Sequence, residues 1–433
     1  MTGEAATATS ALVVELGGGS VLLEGHLDVM PVAGGVRPVR LPLDAWRFFP
    51  PAGELLGATV STASGVRIRF DTDAQQVELR VRCTRLQYDE LPGPRNTFVA
   101  EVNGIDLEPV EAPIDALRRI TMLGDQATDL PRSESSAVVL DGLGTHEKSV
   151  TVWFPQGLIV DLLDVMAATP VRASAPSAAA RWIHHGSSIS HCVETPHPTG
   201  TWPVVAARRA GLDLVNLGFG GQCMLDPFVA DAIAAQPADV ISLKVGINIV
   251  GARSMDQRTF APALHGFLDR VRTGHPDTPI VLASSIFWPG SEDTPGPPGV
   301  EFEEENVRCF AAGDPTDVAK GALTLAQSRL QIEHVVRVRE AAGENIHYLD
   351  GLALYGPDDT DRFTLPDGLH PDAALYAEMG ARWAELAFGA RGLVPMTAMS
   401  AISGRARGAR SAPSFARANR ADPDAAPTCP APR

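Results

Sequence analysis

Lysine, cysteine and long apolar runs are all scarce in this chain of 433 residues. Only 3 of the 36 basic residues are lysines, and 52 acidic residues bring the net charge to −16, so the sequence lacks the basic surface that binds nucleic acid. No apolar run reaches about 18 residues, so we expect no membrane span. No cationic segment precedes the first apolar stretch, so we expect no secretory signal and a cytoplasmic protein.

The cysteines and histidines do not form a recognisable metal or disulfide framework. The five cysteines are odd in number and scattered, with no C-x-x-C pair, which argues against a disulfide scaffold or a zinc site and fits a reducing compartment. Four histidines cluster mid-chain without ligands at metal-binding spacing, so packing and loop hydrogen bonds are their expected roles. They are His184, His185, His191 and His197. We expect neither a metal nor an organic cofactor.

Residues 1–170 show the alternation of apolar and polar side chains that is typical of half-buried strands. Residues 66–70 and 77–83 alternate strictly, and residues 98–102 run into Asn103-Gly104, a hairpin signal. Short strands at close spacing predict a jelly-roll-like antiparallel β-sandwich domain. This part of the sequence contains no catalytic cluster.

The pattern changes after a short segment of small residues and prolines, 171–180, which we interpret as a linker. Residues 181–392 alternate between strand and helix patterns, which predicts a three-layer α/β/α domain with a parallel sheet. Within it, residues 288–317 are rich in proline, glycine and acid, and we expect a long loop at the rim of a site. The aperiodic tail 393–433 is expected to be disordered.

Two polar segments stand where an α/β sheet places its chemistry. Ser188 follows a predicted strand, and nucleophiles belong on such turns because ligand crevices form at the carboxyl ends of parallel strands. Serine is also a common helix cap, which is the alternative for Ser188 alone. Asp367 and His370 are three residues apart, before a predicted final helix, and can meet on one turn. Together these three residues predict a nucleophile, a base and the acid that orients the base.

Two further segments can donate hydrogen bonds to a developing oxyanion. The Gly221 backbone N–H and the Asn248 side-chain amide are the candidates, together with the Ser188 N–H. The alternative for Gly221 is a tight strand-to-helix turn, and for Asn248 a turn-forming side chain. The glycine run is not a dinucleotide fingerprint, because Cys223 stands where the third glycine is needed. We expect Cys223 itself to be a small buried residue.

These residues resemble the SGNH/GDSL hydrolase family over about residues 180–392. That family carries Ser, Gly, Asn and His in four ordered blocks. Ser188, Gly221, Asn248 and His370 match them, and Asp367 matches the family's acid. The family's G-D-S is here Gly186-Ser187-Ser188, and its G-x-N-D ends in Ile249, which affects loop anchoring more than mechanism. The resemblance implies a serine esterase or acylhydrolase that forms an acyl-enzyme from an ester or thioester.

Three functional readings remain open at this point. The two-domain layout also resembles an actinobacterial branch of the family whose members acylate aromatic polyketides, so transfer from acyl-CoA to a hydroxyl of a natural product is an alternative to hydrolysis. The other alternative is a non-catalytic carbohydrate-binding or scaffold protein. The expected partner is a small-molecule ester or acyl-CoA, and no oligomeric state is predicted.

Overall fold

The computed structural model describes residues 11–88, 95–121, 125–303 and 306–395. Its amino-terminal part is built almost entirely of strands, with a 3-10 helix (Leu43–Phe48) and one α-helix, α1 (Glu54–Ser61), among the described residues. The strands are β1 (Ala11–Leu16), β2 (Gly19–Glu24), β3 (Asp28–Val32), β4 (Gly35–Val39), β5 (Arg67–Thr72), β6 (Val77–Tyr88), β7 (Thr97–Val102), β8 (Ile105–Asp106), β9 (Val110–Glu111), β10 (Ala116–Ile120), β11 (Ala127–Pro131), β12 (Ser136–Leu140), β13 (Lys148–Trp153), β14 (Leu158–Ala167) and β15 (Arg172–Ala173).

These strands form two sheets that share one hydrophobic core. The first has the order β1-β2-β5-β13-β7-β8, with β15 beside β5 and β9 beside β7; the second has the order β11-β10-β6-β14-β4-β3, with β12 beside β6. Alternate residues of β6, such as Leu79 and Val81, pack with Ile68 and Phe70 of the other sheet because strand side chains alternate between faces. Most pairs are antiparallel, but β6 and β10 run parallel. The sheet-rich amino-terminal part is confirmed, whereas the jelly-roll detail stays a prediction.

The segment predicted as a linker, 171–180, is partly built into the first sheet. Its residues Arg172 and Ala173 form β15 and pair with β5, and the Ser174 hydroxyl donates to Asp71 at 2.7 Å. The connection between the two halves of the chain is therefore held by sheet hydrogen bonds at its start.

The carboxyl-terminal part contains a five-stranded parallel sheet in the order β17-β16-β18-β19-β22. Helices lie on both faces: α4, α6 and α7 cover one core, and α3 and α8 cover the other. The mixed α/β composition is thus confirmed. The elements are β16 (Arg181–Gly186), α2 (Ser188–His191), α3 (Trp202–Ala210), β17 (Asp213–Gly218), α4 (Pro227–Ala235), β18 (Val240–Lys244), α5 (Ile247–Ala252), α6 (Phe260–Gly274), β19 (Ile280–Ala283), β20 (Pro298–Glu303), β21 (Asn306–Ala311), α7 (Leu325–Ala341), β22 (Ile346–Leu349) and α8 (Ala373–Trp383).

The expectation of a long loop over 288–317 is wrong in part. Strands β20 and β21 pair as an antiparallel hairpin from Pro298 opposite Ala311 to Glu303 opposite Asn306. The period-two pattern of these strands is short and is surrounded by prolines and glycines, which dominate the local composition. The hairpin reaches the candidate site, because the Cys309 N–H donates to the Asp367 carbonyl at 2.6 Å.

None of the helices in the described ranges has the length and apolarity needed to cross a membrane. The tail predicted over 393–433 lies outside the described residues from residue 396 onward.

Candidate active site

Ser188 lies at the carboxyl edge of the parallel sheet, as the first residue of α2 directly after β16. Its neighbour Ser187 is extended and buried. The helix is only one turn long and is followed by Cys192, whose φ of 59° lies in the left-handed region and ends the helix. This sharp strand-turn-helix connection leaves the Ser188 side chain partly exposed at the sheet edge, where parallel α/β folds bind their ligands.

His370 connects Ser188 to Asp367 although Ser188 and His370 are 182 residues apart. His370 Nε2 lies 2.9 Å from Ser188 Oγ, and His370 Nδ1 lies 2.6 Å from Asp367 Oδ2. The backbone N–H groups of Leu369 and His370 donate to Asp367 Oδ1 at 2.9 and 2.6 Å. Since Oδ1 is held by the backbone, Oδ2 is fixed in front of the ring. This arrangement favours the tautomer with a proton on Nδ1 and an accepting Nε2 toward the serine.

The charges around His370 stabilise its protonated form. Burial would lower its pKa, but the negative charge of Glu194 and the hydrogen bond and charge of Asp367 raise the pKa to about 9. For Asp367, burial would raise the pKa, but the hydrogen bond and charge of His370 and the two backbone N–H groups hold it below its usual value. Asp367 is therefore an anion and His370 a strong base.

Glu194 is a second carboxylate beside the imidazole, and the sequence analysis did not single it out. Its Oε1 lies 3.7 Å from His370 Nδ1, and its Oε2 accepts a hydrogen bond from the Tyr376 hydroxyl at 2.9 Å. Tyr376 is fully buried on α8, and its pKa is raised well above its usual value by burial and by the Glu194 charge. The tyrosine therefore remains a donor and holds the glutamate.

The two predicted oxyanion segments lie together beside the serine. A Cβ on Gly220 would lie 3.8 Å from Ser188 Cβ, so the glycine loop is in van der Waals range of the nucleophile. Gly221 has a φ of +69°, which favours glycine on conformational grounds, since a Cβ there would meet nothing within 4 Å. Asn248 Oδ1 accepts the Cys223 N–H at 3.1 Å, which leaves its Nδ2 end as a donor. The loop and the amide are thus held relative to each other.

A buried arginine of the amino-terminal part forms hydrogen bonds with the end of β17, which leads into the same loop. Arg40, directly after β4, is 0% exposed and has no carboxylate among its hydrogen-bond partners in the described residues. Its Nη1 donates to the carbonyls of Asn216 and Gly218 at 3.1 and 2.6 Å. Its guanidinium lies 5.1 Å from the centre of the Phe219 ring. Burial lowers the Arg40 pKa to about 9, so the cation is retained at neutral pH.

A second set of contacts joins the amino-terminal part to the serine turn. His191 Nε2 lies 2.9 Å from both Thr62 Oγ1 and the Gln156 carbonyl, and the Gln156 side-chain amide donates to the Thr195 carbonyl at 2.7 Å. Thr62 and Gln156 belong to the amino-terminal part, and His191 and Thr195 lie on either side of Cys192. The nucleophile turn is therefore braced by residues outside the parallel sheet.

His184 and Cys223 are buried in surroundings that fit a structural role. His184 contacts the hydroxyls of Ser242 and Ser190 at 2.7 and 2.8 Å, and burial lowers its pKa well below the usual value. Burial raises the Cys223 pKa to about 12, which agrees with a buried thiol rather than a nucleophile. Among the described residues, no group of three or more His, Cys, Asp or Glu side chains is arranged to hold a metal ion.

Comparison with known proteins assigns the class. Residues 185–378 match the GDSL-like Lipase/Acylhydrolase family model, and residues 22–156 match the SsfX3 N-terminal domain. The chain therefore contains a domain that matches the GDSL-like lipase/acylhydrolase family and, before it, a domain of the SsfX3 amino-terminal type, and these matches support an enzyme. The resemblance predicted from the ordered sequence blocks is confirmed, and the match supports an enzyme over the non-catalytic alternative.

Solved structures similar to this chain include an individual enzyme of known reaction. The salicylyl-acyltransferase SsfX3 from a tetracycline biosynthetic pathway is 27% identical, with a TM-score of 0.67, over 86% of this chain and 95% of that one. A Bacteroides ovatus protein described as a GDSL-like lipase is 17% identical (TM-score 0.59, 86% and 96% coverage). A family two carbohydrate esterase from Clostridium thermocellum, solved with cellohexaose, is 15% identical (TM-score 0.50, 75% and 91%). The last two show the fold alone. No curated protein sequence matches.

Proposed function

We propose that this protein is a cytoplasmic serine acyl-transfer enzyme on an SGNH-type three-layer α/β/α domain, acting on an ester or thioester through an acyl-enzyme. The observation that carries the proposal is the continuous chain of hydrogen bonds from Ser188 Oγ through His370 to Asp367, at 2.9 and 2.6 Å. A hydroxyl, an imidazole and a carboxylate in this order are the parts of a general-base-activated nucleophile. The four free cysteines of the described residues fit a reducing compartment.

The first half-reaction follows from these positions. Ser188 Oγ attacks the substrate carbonyl carbon while His370 Nε2 accepts the hydroxyl proton. The carbonyl oxygen becomes an oxyanion, and its donors are the backbone N–H groups of Ser188 and Gly221 and the Asn248 Nδ2. His370 then gives its proton to the leaving alkoxide or thiolate, and the bond to the leaving group breaks. Asp367 keeps the imidazole in the required orientation throughout.

The second half-reaction distinguishes a hydrolase from a transferase. His370 removes a proton from water or from an alcohol, whose oxygen attacks the acyl carbon; the bond from that carbon to Ser188 Oγ then breaks, and His370 returns the proton to Oγ. Similarity to a salicylyl-acyltransferase over 95% of that enzyme's length favours an alcohol acceptor as a second candidate function. In that case, an acyl-CoA thioester is the donor and a hydroxylated natural product is the acceptor. Both candidates share every step up to the acyl-enzyme.

Intact-protein mass spectrometry with a panel of acyl-CoA and ester donors tests both candidates. We expect one acyl group to be added to the wild type and none to Ser188→Ala. Addition of alcohol acceptors identifies a transferase if the adduct disappears faster and an acylated alcohol accumulates. No adduct and no turnover with any donor, in a protein whose circular dichroism is that of a folded chain, contradicts the proposal.

His370→Ala tests the assignment of the base. Hydrolysis of an activated aryl acetate by this variant should fall by orders of magnitude, because His370 is the side chain that lies within hydrogen-bond distance of the Ser188 hydroxyl in the described residues. Thermal unfolding of the variant controls for the fold. Near wild-type turnover would show that another group is the base.

A further inference from the structure

The imidazole of His370 faces two carboxylates, only one of which belongs to the proposed hydrogen-bonded chain. We propose that Glu194 is a positioning residue of the general base, held by Tyr376 so that its charge stabilises the imidazolium formed when Ser188 is deprotonated. This inference rests on the proposed function, since it assigns a role to a residue that acts through His370.

The two carboxylate oxygens of Glu194 have different partners, His370 for one and Tyr376 for the other. One carboxylate oxygen lies 3.7 Å from His370 Nδ1, too far for a strong hydrogen bond but close for a charge interaction. The other oxygen accepts the Tyr376 hydroxyl at 2.9 Å. The Glu194 side chain is 27% exposed and that of His370 18% exposed, so solvent screens the interaction only partly. A flexible surface glutamate without the tyrosine would not be confined to this position.

The groups around His370 come from four elements. Asp367 approaches from its own loop, Glu194 from the segment after α2, and Tyr376 from the buried face of α8. The Cys309 thiol of β21 lies near both carboxylates; burial and the charges of Asp367 and Glu194 raise its pKa to about 11, so it is uncharged near neutral pH. His370 thus lies beside two carboxylates, and the hydroxyl and thiol near those carboxylates are uncharged, an arrangement that favours a positive charge on the ring.

This placement has a kinetic consequence. A general base must be neutral before it accepts a proton, and the two carboxylates bring the His370 pKa to about 9. At neutral pH most molecules therefore carry a protonated ring, and kcat/KM should rise with pH until about 9. Removing the Glu194 charge disfavours the imidazolium, so the pKa must fall and the rise in activity must move to lower pH.

Glu194→Gln is the decisive variant because glutamine keeps the size and the acceptor for Tyr376. The pH dependence of kcat/KM for an activated aryl ester should shift downward by about one pH unit or more. Above the transition the variant should be slower than the wild type, because a weaker base drives proton transfer less. Glu194→Asp keeps the negative charge, so its His370 pKa should lie between that of Glu194→Gln and that of the wild type. Glu385→Gln, which removes an exposed glutamate just after α8, is the matched control and should leave the profile unchanged.

An NMR titration of the histidine rings, assigned with His370→Gln, measures the same pKa without turnover. We expect the His370 ring pKa to fall in Glu194→Gln and to stay in Glu385→Gln. Equal ring pKa values and equal pH profiles in wild type and Glu194→Gln overturn the inference and leave the acyl-transfer proposal intact. A shifted ring pKa in a protein without Ser188-dependent turnover overturns the proposed function instead, and with it the positioning role.

Discussion

Two buried arginines join the amino-terminal sheets to strand β17, one at each end, and comparing them tests what those sheets contribute to catalysis. Arg40 donates to the carbonyls of Asn216 and Gly218 at the carboxyl end of β17, beside the candidate oxyanion loop. Arg67 pairs with Asp213 and donates to the Leu214 carbonyl at 3.1 Å at the other end. At about 3.3 Å per residue, the outermost of these contacts, at Asp213 and Gly218, are roughly 16 Å apart. The perturbations are Arg40→Met and Arg67→Met.

The expected loss of stability is similar for the two variants. Arg40→Met leaves four backbone carbonyls without the guanidinium, those of Thr59, Thr62, Asn216 and Gly218. Four buried acceptors at about 2 kcal/mol each lose about 8 kcal/mol, and about 5 kcal/mol is regained because no charge is desolvated, so the net cost is roughly 3 kcal/mol. Arg67→Met leaves two buried carboxylates with one charged partner each, Asp213 with Arg181 and Glu24 with Arg69, at a cost of about 3–5 kcal/mol.

The expected effect on turnover is different. Loss of Arg40 removes the hydrogen bonds to the Asn216 and Gly218 carbonyls, which hold the chain just before the loop of Gly220 and Gly221. A displacement of about 1 Å in a catalytic group can reduce kcat on the order of 100-fold. Loss of Arg67 acts far from the nucleophile and should leave kcat near the wild-type value. Urea unfolding followed by circular dichroism measures stability, and aryl ester hydrolysis well below the unfolding midpoint measures kcat. Equal kcat values for the two variants, with comparable losses of stability, would refute the idea that Arg40 positions the site.

The oxyanion donor and the histidines give further predictions. Asn248→Ala should reduce kcat on the order of 100- to 1000-fold because it removes one oxyanion donor, and it should cost about 1 kcal/mol of stability because the Cys223 N–H loses its acceptor; a change in kcat of less than threefold would contradict the donor role. Acid should destabilise the protein, because burial lowers the pKa of His26 and His185 from 6.5 to about 4. Their contribution to stability is complete above pH 6.5 and is lost as the pH falls toward 4, since the unfolded chain takes up protons at these rings before the folded chain does. The loss is about 2 kcal/mol per ring near pH 5. His370 has the opposite sign, since its raised pKa stabilises the fold below pH 6.5 and that contribution is lost as the pH rises through about 9. Urea unfolding midpoints measured across this pH range check both signs. A urea midpoint that stays constant as the pH is lowered below 6 would contradict the acid prediction.

The sequence was sufficient to find the segments that meet at the site because parallel topology does most of the assembly. Ser188, Gly221 and Asn248 each follow a strand of one parallel sheet, so their order along the chain brings them to one edge. The position of His370 follows from its place before the last helix. These inferences needed only local patterns and the rule that strand ends of a parallel sheet coincide.

Long-range contacts without a local pattern could not be found in this way. Glu194 and Tyr376 each lie six residues beyond Ser188 and His370, and their contact depends on how α8 packs against the segment after α2. Arg40 stands among apolar residues after a strand, and only the tertiary structure shows that its partners lie 176 and 178 residues away. The sequence signal that could have indicated Arg40 is a cationic residue within an apolar strand pattern.

Covalent labelling by a fluorophosphonate, followed by peptide mass spectrometry, tests most directly whether Ser188 is the nucleophile. A phosphonylated Ser188 peptide in the wild type, and no labelling in folded Ser188→Ala, is the predicted result. A folded wild type that remains unlabelled, or one labelled only at another residue, would contradict the account.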